Sequence, residues 1–153
     1  MSNGSFIDFV KHIESISPPP IGPHKYVGYG HRLNQVEQAS GMVYGCDIDM
    51  IDPKTALTIL HQDMVTKQNQ LKQMIPSWKT RSVRQKELIY LYDKKKDNDM
   101  LDAILSRDVE TQLKLYKWTH RNEKGNEVEA EDLNKAFYSR YFSPVALRGW
   151  GLP

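Results

Sequence analysis

Apolar residues recur at helical spacing from the start of the chain. Phe6, Phe9, Val10 and Ile13 follow Ser5, a residue suited to capping a helix N-terminus. Pro18, Pro19 and Pro20 remove backbone donors and disfavour helical geometry just before them, so this helix is expected to end between Glu14 and Ser17. Lys25 to His31 is short, aromatic and β-branched, with glycines at Gly28 and Gly30, and reads as a strand. Gly41 to Gly45 and Ile48 to Met50 are expected to pair with it in one small sheet.

After Ile51 the pattern becomes helical. Asp52 followed by Pro53 is a cap with proline in the first helical position. Ala56, Leu57, Leu60, Met64, Leu71 and Met74 then mark one face of a long helix, which Pro76 stops. Further helices are expected from Ser82 to about Asp93, around Met100 to Leu105, and around Val109 to Tyr116, this one extending toward Trp118. Another, marked by Leu133, Ala136, Phe137 and Tyr141, ends near Ser143-Pro144. Lys94 to Asp99 and His120 to Glu127 read as polar connectors. The expected fold class is α+β: mainly helical, with one small antiparallel sheet near the N-terminus and a cleft between two lobes. The expected organisation is a single domain, 1–153, with the first helix and sheet in 5–51, a helical lobe in 52–143 and a tail in 144–153.

Composition adds limits. The 153 residues suffice for one ordinary core, and 39% hydrophobic with 26% charged residues is the balance of a folded globular chain. The net charge of +2 is too even to argue for nucleic acid, so no such partner is expected. Cys46 is the only cysteine, which excludes an internal disulfide; it reads as a small buried hydrophobe. The N-terminus carries no signal-peptide pattern, and no apolar run approaches the ~20 residues of a membrane span. Synthesis in the cytoplasm without membrane insertion is the expectation, as is a monomer.

Glu14 is the sharpest candidate for chemistry. It stands at the end of an amphipathic helix, at the expected edge of the core. Desolvation there favours the protonated form of a carboxylic acid, which suits a general acid near neutral pH. The plain alternative is a solvated Glu, or one paired with Lys11. Gly28-Tyr29-Gly30-His31 adds weight, because alternating glycines permit a sharp bend or close approach of another group. His31 reads as ordering the hairpin or bonding Glu14. No second ligand at metal spacing lies on its element, so no metal is assigned. Tyr26 and Tyr29 are candidates for stacking on a sugar or for core packing, as are Trp78, Trp118 and Trp150.

A Glu at the end of an N-terminal helix, a short gap, GYGH, and a long helix begun by Asp52-Pro53 together resemble the phage-type lysozymes, the endolysin muramidases of glycoside hydrolase family 24. The resemblance extends through Asp52 to Asp63, Arg84 to Asp93, Lys117-Trp118 and the helix ending Tyr141-Phe142. It implies a lysozyme-like fold and cleavage of the β-1,4 bond between N-acetylmuramic acid and N-acetylglucosamine. It also implies Glu14 as catalytic acid, Tyr29, Gly30 and His31 at the substrate, and no cofactor. Peptidoglycan is then the partner, reached by way of a holin or a secretion or conjugation apparatus.

One departure matters. The family places a catalytic Asp in the turn after the Glu, and a Thr two residues before the first glycine. Here the Thr position is Tyr26, and no Asp occurs between Glu14 and Asp47. Inverting hydrolysis needs a base to activate water. His24, Tyr26, Asp47 and Asp49 are the candidates for that role. The alternatives are a lytic transglycosylase using a single Glu, an inactive glycan-binding or structural component of a phage, secretion or conjugation apparatus, and a protein-binding module that keeps the fold only.

Overall fold

The computed structural model describes residues 5–16 and 25–149. His24, the proline run and Trp150 lie outside the described residues. The described chain is mostly helical with small antiparallel hairpins. It divides into two compact units, one up to Lys67 and one from Gln68 onward.

In the first unit, α1 (Phe6–Ile16) starts at Ser5, whose hydroxyl accepts the Asp8 amide at 3.3 Å. Phe9, Val10 and Ile13 are its buried face. β1 (Tyr26–Val27) pairs with β2 (His31–Arg32), Val27 opposite His31. The three-residue loop between them needs left-handed backbone at Gly28 (φ +58°) and Gly30 (φ +83°), which explains the alternating glycines.

α2 (Gln35–Ser40) was absent from the sequence expectation. It is a short helix with no buried residue, so no hydrophobic period marks it. Its signal is the Asn34/Glu37 capping box, in which each side chain takes the other's backbone N–H, at 2.8 and 2.9 Å. β3 (Met42–Val43) pairs with β4 (Cys46–Asp47) across Tyr44-Gly45, both at positive φ as a type I′ turn requires. Two separate hairpins therefore replace the single expected sheet. Ile48–Met50 is a 3-10 turn rather than a strand, because Asp47 caps it by accepting the Asp49 amide at 2.9 Å.

α3 (Pro53–Met74) begins at Asp52, which accepts the Thr55 amide at 2.7 Å. The division between the units falls inside this helix. Ala56, Ile59, Leu60, Met64 and Leu71 are buried, whereas Leu57 and Met74 are exposed. Leu33, Val43 and Ile59 form a small aliphatic cluster against Val27, Ile48 and Ile51.

The second unit contains α4 (Val83–Lys95), α5 (Asn98–Leu105) and α6 (Val109–Leu115). Lys96 turns left-handed and Asp97 caps α5, so the expected connector is a tight break between helices. The stretch expected as a loop is a third hairpin, β5 (Thr119–Arg121) with β6 (Glu127–Glu129). Its strands bury no residue and carry one apolar side chain, the exposed Val128, too little for a period-two reading. α7 (Glu131–Tyr141) is followed by α8 (Pro144–Gly149), where a tail was expected. Phe137 centres the core, with the rings of Tyr141, Trp118 and Tyr116 at 4.8, 5.5 and 5.7 Å. Trp78 and Trp118 are buried.

Candidate functional site

Two features meet at the β1–β2 hairpin, one on its loop and one at its end. The first is Glu14. Burial of Phe9, Val10 and Ile13 fixes the rotation of α1, and Lys11 and Glu14, one turn apart, reach the hairpin loop. Lys11 Nζ stands 5.5 Å over the Tyr29 ring. The half-buried Glu14 side chain lies directly on Gly30. A Cβ at residue 30 would collide with Glu14 Oε2 and come within 2.8 Å of its carboxyl carbon. Glycine is therefore required twice at this position, for its positive φ and for the space the carboxyl group occupies.

An open pocket of about 370 Å³ adjoins the same loop. Val27, Gly28 and Tyr29 line it from the hairpin, Ile48 and Ile51 from the 3-10 turn and the residue just after it, and Asp52, Pro53 and Ala56 from the start of α3. Tyr29 thus belongs both to the loop that seats Glu14 and to the pocket wall. Asp52 is exposed, and bonds from the Thr55 amide and hydroxyl hold its carboxyl below the usual carboxylate range.

The second feature is a polar clamp around His31. Its Nδ1 lies 2.8 Å from both Asp63 oxygens, and its Nε2 lies 3.0 Å from both Glu37 oxygens. An imidazole facing carboxylates at both nitrogens donates from both only when protonated. The Asp63 hydrogen bond raises the His31 pKa most; burial opposes this, and Glu37 adds to the rise. Tyr44 donates its hydroxyl to Asp63 Oδ1 at 2.6 Å. Burial and then the Asp63 bond push that phenol up to about 12. The clamp joins β2, α2, α3 and the β3–β4 turn.

Of the residues singled out in the sequence, Glu14, Tyr29 and Gly30 come together. His31 adjoins them in sequence, but its ring nitrogens are taken up by Asp63 and Glu37 rather than Glu14. Tyr26 is half-buried in β1, opposite Arg32. Asp47 and Asp49 are exposed, Asp47 serving as a cap. Asp63, Glu37, Tyr44 and Asp52 carry parts of the site that the sequence reading did not assign. The capping box is a local signal for Glu37, and the sequence marks Asp52 only as a cap. Nothing local marks Asp63, which meets its partner across 32 residues.

Among the described residues, no group of three or more His, Cys, Asp and Glu side chains could hold a metal ion. None of the described helices is long and apolar enough to cross a membrane. No protein family, curated protein or solved structure matches the chain.

Proposed function

We propose that the protein is a muramidase of the phage-lysozyme type, with a lysozyme-like fold and a glycan cleft bordered by Glu14. It cleaves the β-1,4 bond between N-acetylmuramic acid and N-acetylglucosamine. Glu14 gives its proton to the leaving glycosidic oxygen as water attacks the anomeric carbon. The observation that carries this reading is the Glu14 carboxyl group seated on Gly30 of the GYGH loop. The sequence resemblance adds to it, and Tyr29 beside an open pocket supplies a surface of the kind sugars use. The partner for water activation comes from His24, Tyr26, Asp47 or Asp49. Peptidoglycan strands are the substrate, reached by a holin or a secretion or conjugation apparatus.

One observation favours a second reading. The absence of Asp between Glu14 and Asp47 suits a lytic transglycosylase, in which the sugar's own 6-hydroxyl attacks and one Glu serves as acid and then base. Purified cell walls test both. Lysis is expected, and Glu14→Gln is expected to abolish it while leaving the fold intact. Released muropeptides with reducing N-acetylmuramic acid ends support hydrolysis, and 1,6-anhydro ends support the single-Glu route. A Gln variant as active as the parent removes Glu14 from the chemistry. Intact walls at every pH between about 4 and 8 leave an inactive glycan-binding or structural component.

A further inference from the structure

We propose that His31 is a positioning residue for Glu14: protonated between Asp63 and Glu37, it pins the loop that carries Gly30, and loss of that proton frees the seat of the acid; the assignment rests on the muramidase reading above. The loop meets α3 at both of its ends. At one end, a Cβ on Gly28 would stand 3.4 Å from Ala56 Cβ. At the other, His31 Nδ1 lies 2.8 Å from both Asp63 oxygens. Ala56 and Asp63 are about two helical turns apart on α3 and share a face. Gly30, with the Glu14 carboxyl group on it, stands between these anchors. The Gly28 anchor is apolar and blind to pH. The His31 anchor is ionic, and His31 follows Gly30 directly in the chain.

Glu37 sets the proton requirement. His31 Nε2 lies 3.0 Å from both Glu37 oxygens, and Glu37 Oε1 also accepts the Asn34 amide at 2.9 Å. With both ring nitrogens protonated, each donates a charge-assisted bond. A neutral imidazole keeps one N–H. Asp63 holds the shorter contacts, so Nδ1 retains the proton and Nε2 turns a lone pair toward the Glu37 carboxylate. Two acceptors then face each other at a buried ring, and the contact opens. Tyr44 completes the surroundings, its ring 5.6 Å from His31 and its hydroxyl on Asp63. The Asp63 bond raises the His31 pKa above 6.5 against burial, and Glu37 adds to the rise, so release comes on the alkaline side.

Glu37→Gln tests this, because it keeps the shape and changes the proton count. The amide oxygen still accepts the Asn34 N–H, which preserves the capping box, and the amide N–H donates to the lone pair of neutral His31. The clamp then closes without a proton. NMR of the full chain follows the His31 ring through its titration, and nuclear Overhauser contacts between the Gly30 α-protons and the Glu14 side chain measure the seat. In the parent these contacts are expected to fade with the His31 midpoint. In Glu37→Gln the midpoint is expected to fall and the contacts to persist above it. About one pH unit above the parent midpoint, Glu37→Gln is expected to lyse walls up to about tenfold faster than the parent, the ratio of neutral to protonated His31 there. Glu14 is unchanged between the two proteins, so that ratio isolates His31. Parent contacts that ignore the His31 midpoint, contacts that fade equally in Glu37→Gln, or equal Glu14-dependent lysis overturn the positioning role. If walls are lysed in a Glu14-dependent way, the muramidase reading survives that loss. Contacts that behave as expected in a protein that leaves walls intact keep the hold of His31 on the loop and remove the enzyme.

Discussion

His31 stands between two carboxylates at the edge of a small aliphatic cluster, whereas Arg84 lies wholly inside an aromatic core and, among the described residues, donates hydrogen bonds to neutral groups. Arg84 Nε donates to the Tyr141 carbonyl at 2.8 Å, and Nη2 to Gln112 Oε1 at 2.9 Å. Its guanidinium lies 5.1 Å over the Phe142 ring, and Nη1 has no hydrogen-bond partner among the described residues. Burial lowers its pKa to about 10. The difference concerns what each cation does for its surroundings. The His31 clamp ties β2, α2, α3 and the β3–β4 turn together at the edge of the small Leu33, Val43 and Ile59 cluster. The second unit holds its helices by ring packing and carries buried charge as an added load.

The largest expected effect is at Glu87, one turn along α4 from Arg84. Its Oε1 accepts from Tyr141 Oη at 2.8 Å and from Arg140 Nη2 at 3.3 Å. Burial raises its pKa, with Tyr141 and Arg140 pulling the other way. Glu87→Leu removes an acceptor shared by buried donors and is expected to cost about 3 kcal/mol in urea unfolding. Arg84→Met replaces the partly unsatisfied cation with a side chain of similar length and is expected to cost less than half of that. An Arg84 loss equal to the Glu87 loss would show that this cation supports the core.

His31→Asn comes next, at about 2 kcal/mol, and its pH dependence is the sharper test. The folded pKa of His31 is raised above 6.5, so its contribution is full below pH 6.5 and is lost as pH rises through the folded value. Asp63, Glu37 and Tyr44 are the titratable groups facing it. The stability gap between parent and variant is therefore expected to be widest between about pH 5 and 6.5 and to narrow above. A gap independent of pH would mean that His31 acts by shape rather than charge.

The same contrast explains what the sequence disclosed. Phe9, Val10 and Ile13, and the cap-and-proline start of α3, are local signals, and both helices lie where those signals put them. The Gly-rich loop was legible as a feature, and Glu14 as a residue at a helix end. Short elements without a buried face left no period to read, as in α2 and the β5–β6 hairpin. The clamp was invisible for another reason. Asp63 and Glu37 reach His31 from separate helices, and only the folded chain brings them there.

Gly30→Ala isolates the seat of Glu14. Alanine at φ +83° is expected to cost about 1 kcal/mol of backbone strain, and its Cβ displaces the Glu14 carboxyl group. Gly125 in the β5–β6 turn is the control: its φ is +78°, and nothing lies within 4 Å of an added Cβ. Both variants are expected to lose similar stability by thermal melting. Only Gly30→Ala is expected to lose wall lysis, by at least about tenfold if Glu14 must be placed within fractions of an ångström. Equal lysis in the two would detach Gly30 from the chemistry.

Tyr44→Phe is the smallest and most discriminating change. Tyr44 is half-exposed, so losing its bond to Asp63 is expected to cost only about 0.5 kcal/mol. Its effect on His31 has a definite sign. Asp63 Oδ1 accepts from both the Tyr44 hydroxyl at 2.6 Å and His31 Nδ1 at 2.8 Å. The hydroxyl stabilises the carboxylate without carrying charge. Without it, the carboxylate leans harder on the imidazolium, and the His31 pKa is expected to rise further. NMR titration of the His31 ring measures that directly. The alkaline loss of stability is expected to move up in pH with it, even as the protein becomes slightly less stable at pH 6. A fall in the His31 pKa would mean that Tyr44 positions Asp63 for His31, and the clamp would then be a single cooperative unit rather than two donors competing for one oxygen.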